Sequence, residues 1–240
     1  MHSPFRGHHP TVSPSWIVTI LAAILAPYAA GTARAAEPAN LGDLEAQLIT
    51  YHDFGGYERD LQEVAAETKA YVRLRAKKVS KPALVLDIDE TSLSNWPKLL
   101  ANQFAYFPDG SCEYPPKGPC GETAWETLAQ DEPILPILDL YKAARAVRVT
   151  VFFITGRDES LRAATEKNLR SAGYLSWERV IMRPAGTSTR SAADFKAPAR
   201  KAIEDEGYTI IANVGDQSSD LAGGHAERAF LLPDPYYRIP

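Results

Sequence analysis

The sequence has few residues that bind transition metals. It contains two cysteines and five histidines in 240 residues, and beyond residue 35 the histidines are His52 and His225. Structural zinc sites use four cysteine or histidine ligands at short sequence spacings. Because Cys112 and Cys120 are far from both histidines in the sequence, a site of this kind is excluded.

The features of two large functional classes are also missing. There is no Gly-x-x-x-x-Gly-Lys-Ser/Thr loop, which excludes a P-loop NTPase. The formal net charge is −4, and the only basic cluster is the run Arg73–Lys78, at the end of a predicted helix, where cations stabilise the helix dipole. An acidic chain without a basic face predicts neither nucleic acid nor an anionic membrane as partner.

A long apolar run occurs only at the N-terminus. The stretch Trp16–Ala30 follows Arg6 and precedes the small residues Ala33 and Ala35, which is the pattern of a signal peptide over residues 1–35. An uncleaved anchor is the alternative, but the run is short for a membrane span. We therefore expect an exported protein, periplasmic or secreted, without membrane attachment after cleavage.

The exported part has the length of one domain. Residues 36–240 suit a single domain with a sizeable core. The two cysteines lie in the segment DGSCEYPPKGPCGE, and a short loop rich in proline and glycine can bring two sulfurs within bonding distance in an oxidising compartment. The sequence favours a Cys112–Cys120 disulfide over two free thiols.

Apolar periodicity predicts an α/β fold. Spacings of three and four residues predict two helices between residues 40 and 78. Helices and strands then alternate, which predicts a doubly wound parallel sheet. The predicted strands are 83–87, 149–154, 179–182, 209–214 and 229–232, and the predicted helices are 137–147, 159–171 and one with Pro198 in its first turn that ends near Gly207.

Residues 95–133 interrupt the alternation. They are rich in proline and aromatic residues and show no clear periodicity. A segment of this length is too long for an ordinary connection, so we interpret it as a functional insertion, a small cap after the first strand. Its aromatic side chains are either a lid that faces the substrate or the insertion's own small core, and the sequence supports both interpretations equally.

Chemically similar residues follow three of the strands. The first is followed by Asp87 and Asp89, the second by Thr155 and Gly156, and the fourth by Asp216. Because the carboxyl ends of parallel strands meet at one edge of a sheet, we expect these residues to converge there.

The expected cluster has a chemical logic. Carboxylates without nearby histidine or thiolate are typical of a site for a hard cation such as Mg²⁺. The cation relieves their mutual repulsion and lets a phosphate dianion approach. Lys196 and the Thr155 hydroxyl can hold phosphoryl oxygens from the other side. The pattern predicts phosphoryl transfer, with Asp87 as covalent nucleophile and Asp89 as acid and base.

Four motifs give these residues a known context. DIDET, residues 87–91, matches an Asp-x-Asp-x-Thr motif, and VFFITGR matches a second motif that ends in threonine. Lys196 lies in DFKAPARKAIEDEGY, and Asp216 lies in NVGDQSSDL. From about residue 41 to the C-terminus the chain resembles secreted acid phosphatases of the haloacid dehalogenase (HAD) superfamily, subfamily IIIB, the group of the plant vegetative storage proteins and bacterial class C enzymes.

The resemblance implies a HAD-like fold with a small cap, and it implies phosphatase activity. The expected activity is hydrolysis of a small phosphomonoester through an aspartyl phosphate on Asp87, with Asp89 as general acid and base. The expected cofactor is Mg²⁺, held by Asp87, the main-chain carbonyl of Asp89, and Asp216. Asp220 would brace the metal site or the lysine.

Phosphate binding by Thr155, Gly156 and Lys196 is also implied by the resemblance. Two positions depart from the group, since Ser218 replaces a frequent tryptophan and Leu231 a frequent lysine, and these departures concern the choice of substrate. A storage or binding protein on the same fold, with weak or no activity, is the alternative function, because fold does not fix function.

We predict that the mature chain begins at Ala36. Ala33 and Ala35 fit the small-residue positions that signal peptidase reads, whereas Arg34 would not fit if the cut came one residue later. N-terminal sequencing of the exported protein should return Ala-Glu-Pro, and a sequence that starts at Met1 would contradict the prediction.

Overall fold

A five-stranded parallel sheet forms the centre of the protein, whose computed structural model describes residues 37–187 and 191–239. The strands of this sheet are β1 (Pro82–Leu86), β4 (Thr150–Asp158), β5 (Arg179–Arg183), β6 (Thr209–Gly215) and β7 (Ala229–Leu231). Their order is β5-β4-β1-β6-β7, and every neighbouring pair is parallel. A separate antiparallel pair consists of β2 (Leu93–Ser94) and β3 (Glu132–Pro133).

Helices account for most of the remaining chain. They are α1 (Leu41–Asp53), α2 (Gly56–Arg75), α3 (Trp96–Ala101), α4 (Glu122–Leu128), α5 (Leu135–Ala146), α6 (Arg162–Ser171), α7 (Ala192–Asp205) and α8 (Ser218–Leu221), and a 3-10 turn (Glu159–Leu161) precedes α6. None of the helices in the described residues has the length and apolar character needed to cross a membrane. The predicted signal peptide over residues 1–35 and its cleavage site lie outside the described residues.

The side chains of β1 show that helices cover both faces of the sheet. Leu84 and Leu86 point into a core cluster shared with α2, α5 and α6, whereas Ala83 and Val85 point into a second cluster shared with α7. Successive residues of a strand face opposite sides of the sheet, so a strand covered on both sides is apolar throughout. The predicted doubly wound α/β fold is therefore confirmed, and Asp87 is the first polar residue beyond the covered part of β1.

The predicted start of the helix at Pro198 is wrong. Helix α7 begins at Ala192, where the Ser191 side chain accepts a hydrogen bond from the main-chain N–H of Asp194. Ser191 is thus an N-cap, and Pro198 lies inside the helix, where proline removes one main-chain donor. Lys196 is therefore carried by a helix and not by the loop before it.

The second predicted strand also ends later than expected. Strand β4 continues to Asp158 and not to Ile154, with an irregular register against β5 between Thr155 and Asp158. Thr155 and Gly156 therefore belong to the strand itself. The apolar pattern stops at Ile154 because the strand passes the edge of the covered core at that point, while its pairing with β5 continues.

The segment 95–133 contains two short helices that periodicity did not predict. Trp96 and Phe104 pack against the rest of the protein, and Trp125 is completely buried. Tyr106 and Tyr114, in contrast, are 72% and 51% exposed. Tyr114 nevertheless stacks its ring on Trp125, with 6.3 Å between the ring centroids, whereas Tyr106 is available at the surface. Neither interpretation therefore holds for all of these aromatic residues.

The predicted Cys112–Cys120 disulfide is confirmed. Cys120 is buried, and its main-chain N–H and carbonyl both bond the Asn102 side chain at the end of α3, at 2.7 and 2.9 Å. The bridge joins two cysteines that are eight residues apart in the sequence. The Asn102 contacts fix the end of the loop between them to the insertion's first helix.

We predict that the disulfide stabilises the fold modestly. In Cys112→Ser the free energy of unfolding should fall by about 2–3 kcal/mol, because a short loop regains its freedom in the unfolded chain. Urea denaturation measures this, and a reducing agent should lower the stability of the wild type but leave Cys112→Ser unchanged. Equal stability of the oxidised wild type and the variant would contradict the prediction.

Candidate active site

The main chain of Asp87 is fixed on both sides. Its N–H donates to the carbonyl of Val214 in β6, at 3.0 Å, and its carbonyl accepts from the Ser92 hydroxyl, at 2.6 Å. The first bond continues the sheet by one residue, and the second turns the following loop back toward the strand. The carboxylate therefore stands at the edge of the sheet, between β1 and β6.

Glu90 holds the tight loop that follows. Its φ of 47° lies in the left-handed region, which costs energy for a residue other than glycine. Its buried carboxylate accepts hydrogen bonds from the main-chain N–H and the side-chain amide of Asn95, and from the Tyr237 hydroxyl. These bonds compensate for the strain, and burial raises the pKa of Glu90 to about 8.

Lys196 joins two of the predicted carboxylates. Its Nζ lies 2.5 Å from Asp87 Oδ1 and 2.6 Å from Asp220 Oδ1, and all three side chains are buried. Burial disfavours the charged form of the lysine, but the two carboxylates outweigh it and raise the pKa of Lys196. The ammonium is therefore charged and shared.

A third carboxylate, that of Asp216, lies beside these two. Asp87, Asp216 and Asp220 each offer an oxygen, and these oxygens lie within 4.8 Å of one another. Burial and the neighbouring acids raise the pKa of Asp87 to about 7 and that of Asp216 well above its usual value. A group of oxygen ligands with this excess of negative charge fits a hard divalent cation.

The groups around Asp216 and Asp220 fix both side chains. Asp216 accepts from the Thr91 hydroxyl at 3.0 Å and from Gln217 Nε2 at 2.7 Å. Asp220 accepts from the main-chain N–H of Gln217 at 2.9 Å. A Cβ at Gly215 would lie 2.4 Å from the Asp220 side chain, so only glycine leaves room for the carboxylate to approach β6.

Asp89 points to a different partner. Arg157 bonds its Oδ1 through Nη2 at 2.7 Å and both its oxygens through Nε at 3.2 Å, and Asn95 Nδ2 bonds Oδ1 at 3.0 Å. Burial raises the pKa of Asp89, but the charge and hydrogen bonds of Arg157, with the bond from Asn95, outweigh it and lower the pKa to about 2. Its carboxylate is ionised and does not belong to the group of three.

Thr155 and Gly156 leave room for a ligand at the end of β4. Thr155 is buried, and its hydroxyl accepts from the main-chain N–H of Arg157 at 3.1 Å, so its own proton remains available for donation. Gly156 has no atom within 4 Å of the position of a Cβ. An oxyanion can therefore come close to the main chain here.

The structure brings together most of the predicted site residues. Asp87, Asp216, Asp220 and Lys196 form one contact group, and Thr155 and Gly156 lie at the end of the neighbouring strand. The sequence analysis missed the groups that hold the charged side chains in place. These are Asn95, Glu126, Asp131, Gln217 and Asp234.

No local pattern marks most of those supporting residues. Glu126 and Asp131 lie in the segment without clear periodicity, and their partner Arg157 is 26 or more residues away in sequence. Arg157 itself follows the threonine and glycine of the second motif, and the sequence allows it either to reach substrate or to form a structural ion pair. The structure shows the ion pairs, with Asp89 and Asp131.

Comparisons with known proteins agree with this geometry. The family model described as HAD superfamily, subfamily IIIB (acid phosphatase) matches residues 23–240. The chain is 30% identical over 190 residues to Acid phosphatase 1 of Solanum lycopersicum, across 77% of this chain and 70% of that protein. It is 30% identical over 206 residues to Vegetative storage protein 2 of Arabidopsis thaliana, across 85% and 73% of the two chains.

The fold has solved counterparts as well. The class C acid phosphatase from Bacillus anthracis superposes with a TM-score of 0.63 at 20% identity, across 81% of this chain and 86% of that one. At this identity the likeness concerns the fold. Since the family model covers nearly the whole described chain, this protein belongs to the HAD superfamily, subfamily IIIB, the acid phosphatase family.

Proposed function

We propose that the protein is a Mg²⁺-dependent phosphomonoesterase that works through an aspartyl phosphate on Asp87. The observation that carries the proposal is the group of three buried carboxylates, two of which share the Lys196 ammonium. Buried like charges at this separation repel each other unless a cation lies among them. A metal ion and a phosphate dianion together would balance this group.

The residues present fit the metal. Asp87, Asp216 and the main-chain carbonyl of Asp89 would hold Mg²⁺, while Asp220 holds Lys196 in place. When bound, the cation would neutralise charge on the phosphoryl oxygens and on the carboxylates. Oxygen ligands without sulfur or imidazole favour Mg²⁺ over softer metals.

The first chemical step would use Asp87 and Asp89. An oxygen of Asp87 attacks phosphorus, the bond between phosphorus and the leaving-group oxygen breaks, and that oxygen takes a proton that the ionised Asp89 first accepts from the phosphomonoester monoanion. Lys196, the Thr155 hydroxyl and the open main chain at Gly156 would hold the phosphoryl oxygens. An aryl oxide leaves without much help from the proton, whereas an alkoxide needs it.

The second step would return both aspartates to their starting state. Water attacks phosphorus, Asp89 accepts the water proton and passes it to the phosphate product, and the bond between phosphorus and the Asp87 oxygen breaks to release inorganic phosphate. The lowered pKa of Asp89 supports this role, because the ionised carboxylate is the form that accepts a proton.

A storage protein is the second candidate, favoured by the name of one relative, Vegetative storage protein 2. The two candidates differ in turnover. Release of phosphate from nucleotides, sugar phosphates and an aryl phosphate, with and without a Mg²⁺ chelator, separates them, since a storage protein would release little or none. The intact Asp87 and its surroundings support the enzyme.

We also infer export, to the periplasm or the medium. The disulfide supports it, because such bonds persist in oxidising compartments. The expected substrate is a small phosphomonoester, because the chain belongs to an acid phosphatase family.

We predict different defects for the two aspartates of the first motif. Asp87→Asn should lower turnover about a thousandfold or more, because the attacking group is lost. Asp89→Asn should retain phosphorylation by an aryl phosphate, accumulate a hydroxylamine-sensitive phosphoenzyme, and be far poorer on alkyl phosphates. The matched control is Asp139→Asn, an exposed aspartate paired with Lys69.

These outcomes test separate assignments. A folded Asp87→Asn protein with near-normal turnover would contradict the assignment of Asp87 as nucleophile. Equal losses of kcat/KM on aryl and alkyl phosphates in Asp89→Asn would contradict the assignment of Asp89 as acid and base. Steady-state rates on both substrates and acid-quenched labelling of the enzyme measure them.

We predict that Mg²⁺ stabilises the protein in the absence of substrate. A ligand that binds only the folded state adds about 2.7 kcal/mol at 100 times its Kd, so the melting temperature should rise with Mg²⁺ and fall again with a chelator. Asp216→Asn should lose this shift, whereas the exposed Asp139→Asn should keep it. An unchanged shift in Asp216→Asn would contradict the proposed ligand set.

A further inference from the structure

Arg157 is the most constrained charged side chain near the site. Its side chain is completely buried, and its guanidinium contacts three carboxylates. Nη2 lies 2.7 Å from Asp89 Oδ1 and 2.9 Å from Asp131 Oδ2, and Nε lies 3.5 Å from Glu126 Oε1. One nitrogen therefore joins the first motif to the end of the insertion.

Asp131 fixes the position of this guanidinium. Its main-chain N–H donates to Asn168 Oδ1 at 3.0 Å, and its carbonyl accepts from Asn168 Nδ2 at 2.7 Å, so two bonds attach it to α6. Its side chain is completely buried. If Arg157 rotated away, a buried carboxylate would lose its ion pair, which is strongly unfavourable.

A second chain of hydrogen bonds reaches Asp89 from the other side. Asn95 Nδ2 donates to Asp89 Oδ1 at 3.0 Å, and Asn95 Oδ1 accepts from Trp125 Nε1 at 2.8 Å. Because the indole N–H can only donate, it fixes which end of the amide faces Asp89. Trp125 is completely buried in α4 and adjoins Glu126, so neighbouring residues of the insertion serve both chains.

The two chains leave one oxygen of Asp89 less engaged. Oδ1 receives the two short bonds, from Arg157 and Asn95, whereas Oδ2 has one contact among the described residues, with Arg157 Nε at 3.2 Å. A carboxylate oxygen that already accepts two short bonds is a poor site for a further proton. Oδ2 is therefore the atom through which Asp89 can exchange one.

We propose that Arg157 and Asn95 are positioning residues that turn Asp89 Oδ2 toward the reacting oxygen, and that the insertion sets their orientation through Asp131 and Trp125. The inference rests on the proposed function, since it assumes that Asp89 is the acid and base. It assigns the insertion a role in the chemical step, in addition to any contact with substrate.

Two variants test the two sets of hydrogen bonds to Asp89. Arg157→Lys keeps the charge but loses the forked bonds, and Trp125→Phe loses one hydrogen-bond donor. Each should lower kcat/KM on an alkyl phosphate about 10–100-fold, because a displaced acid–base group works poorly in the step that breaks the ester bond. On an aryl phosphate kcat/KM should fall less than about threefold, because this ratio reports the first step and an aryl oxide needs little proton assistance there. The KM should not rise on either substrate.

The decisive measurement repeats both variants in the Asp89→Asn background. A residue that acts through Asp89 has no further effect once the carboxylate is absent, so the losses should not add. Arg162→Lys, which changes an arginine paired with Glu159 on the surface, and Trp96→Phe, in the same insertion, are matched controls that should keep wild-type rates. Thermal melting of each protein accompanies the rates.

Two results would overturn the inference. Additive losses in the Asp89→Asn background would show that Arg157 and Trp125 act independently of Asp89. A raised KM on both substrates in Arg157→Lys would show direct contact with substrate, through Nη1, which has no partner among the described residues. If Arg157→Lys does not fold, Trp125→Phe decides alone.

Failure of the proposed function has a different signature. In that case Asp89→Asn by itself reduces kcat/KM on aryl and alkyl phosphates equally, before any second substitution is made. The acid–base assignment then fails at Asp89, and the inference about Arg157 and Asn95 fails with it.

Discussion

The ammonium of Lys196, shared between Asp87 and Asp220, is the contact on which the rest of the site depends. It is the one protein cation in direct contact with the group of three carboxylates in the described part of the chain. Loss of one partner from a buried ion pair costs about 3–5 kcal/mol, so the position of α7 and the positions of the acids are coupled. Ala199 and Ile203 of α7 pack against the sheet, and this apolar contact brings the lysine to the strand ends. The charged site is thus held by hydrophobic burial a turn or two along the same helix.

The sequence predicts the framework well because its signals are local. A strand buried on both faces has a continuous apolar run, and a polar residue directly after it marks the edge of the sheet, as Asp87 and Asp216 do. The start of α7 is less visible, because Ser191 and Pro198 are both plausible starts and only the packed helix shows which one serves. The end of β4 is hidden for a related reason, since its last residues pair with β5 after the core has ended.

The partners of the charged residues cannot be predicted in this way. Asp131 and Arg157 are 26 residues apart, and Glu90 and Tyr237 are 147 residues apart. Nothing in either local segment distinguishes a buried, paired acid from one exposed to solvent. The partner is chosen by the tertiary packing, which also supplies the desolvation that makes the pairing necessary. Sequence reasoning therefore finds the reacting groups more easily than it finds the groups that hold them in position.

The attachments of the insertion limit how it can move. At its start Asn95 is bonded to Glu90 through its main-chain N–H and its side-chain amide, and near its end the main chain of Asp131 is bonded twice to Asn168 of α6. A swing of the entire segment about a hinge would break these buried hydrogen bonds, and each unpaired group costs about 1–3 kcal/mol. The insertion is consequently fixed to the main body of the protein at both ends, and adjustment is confined to exposed side chains such as Tyr106 and Tyr114.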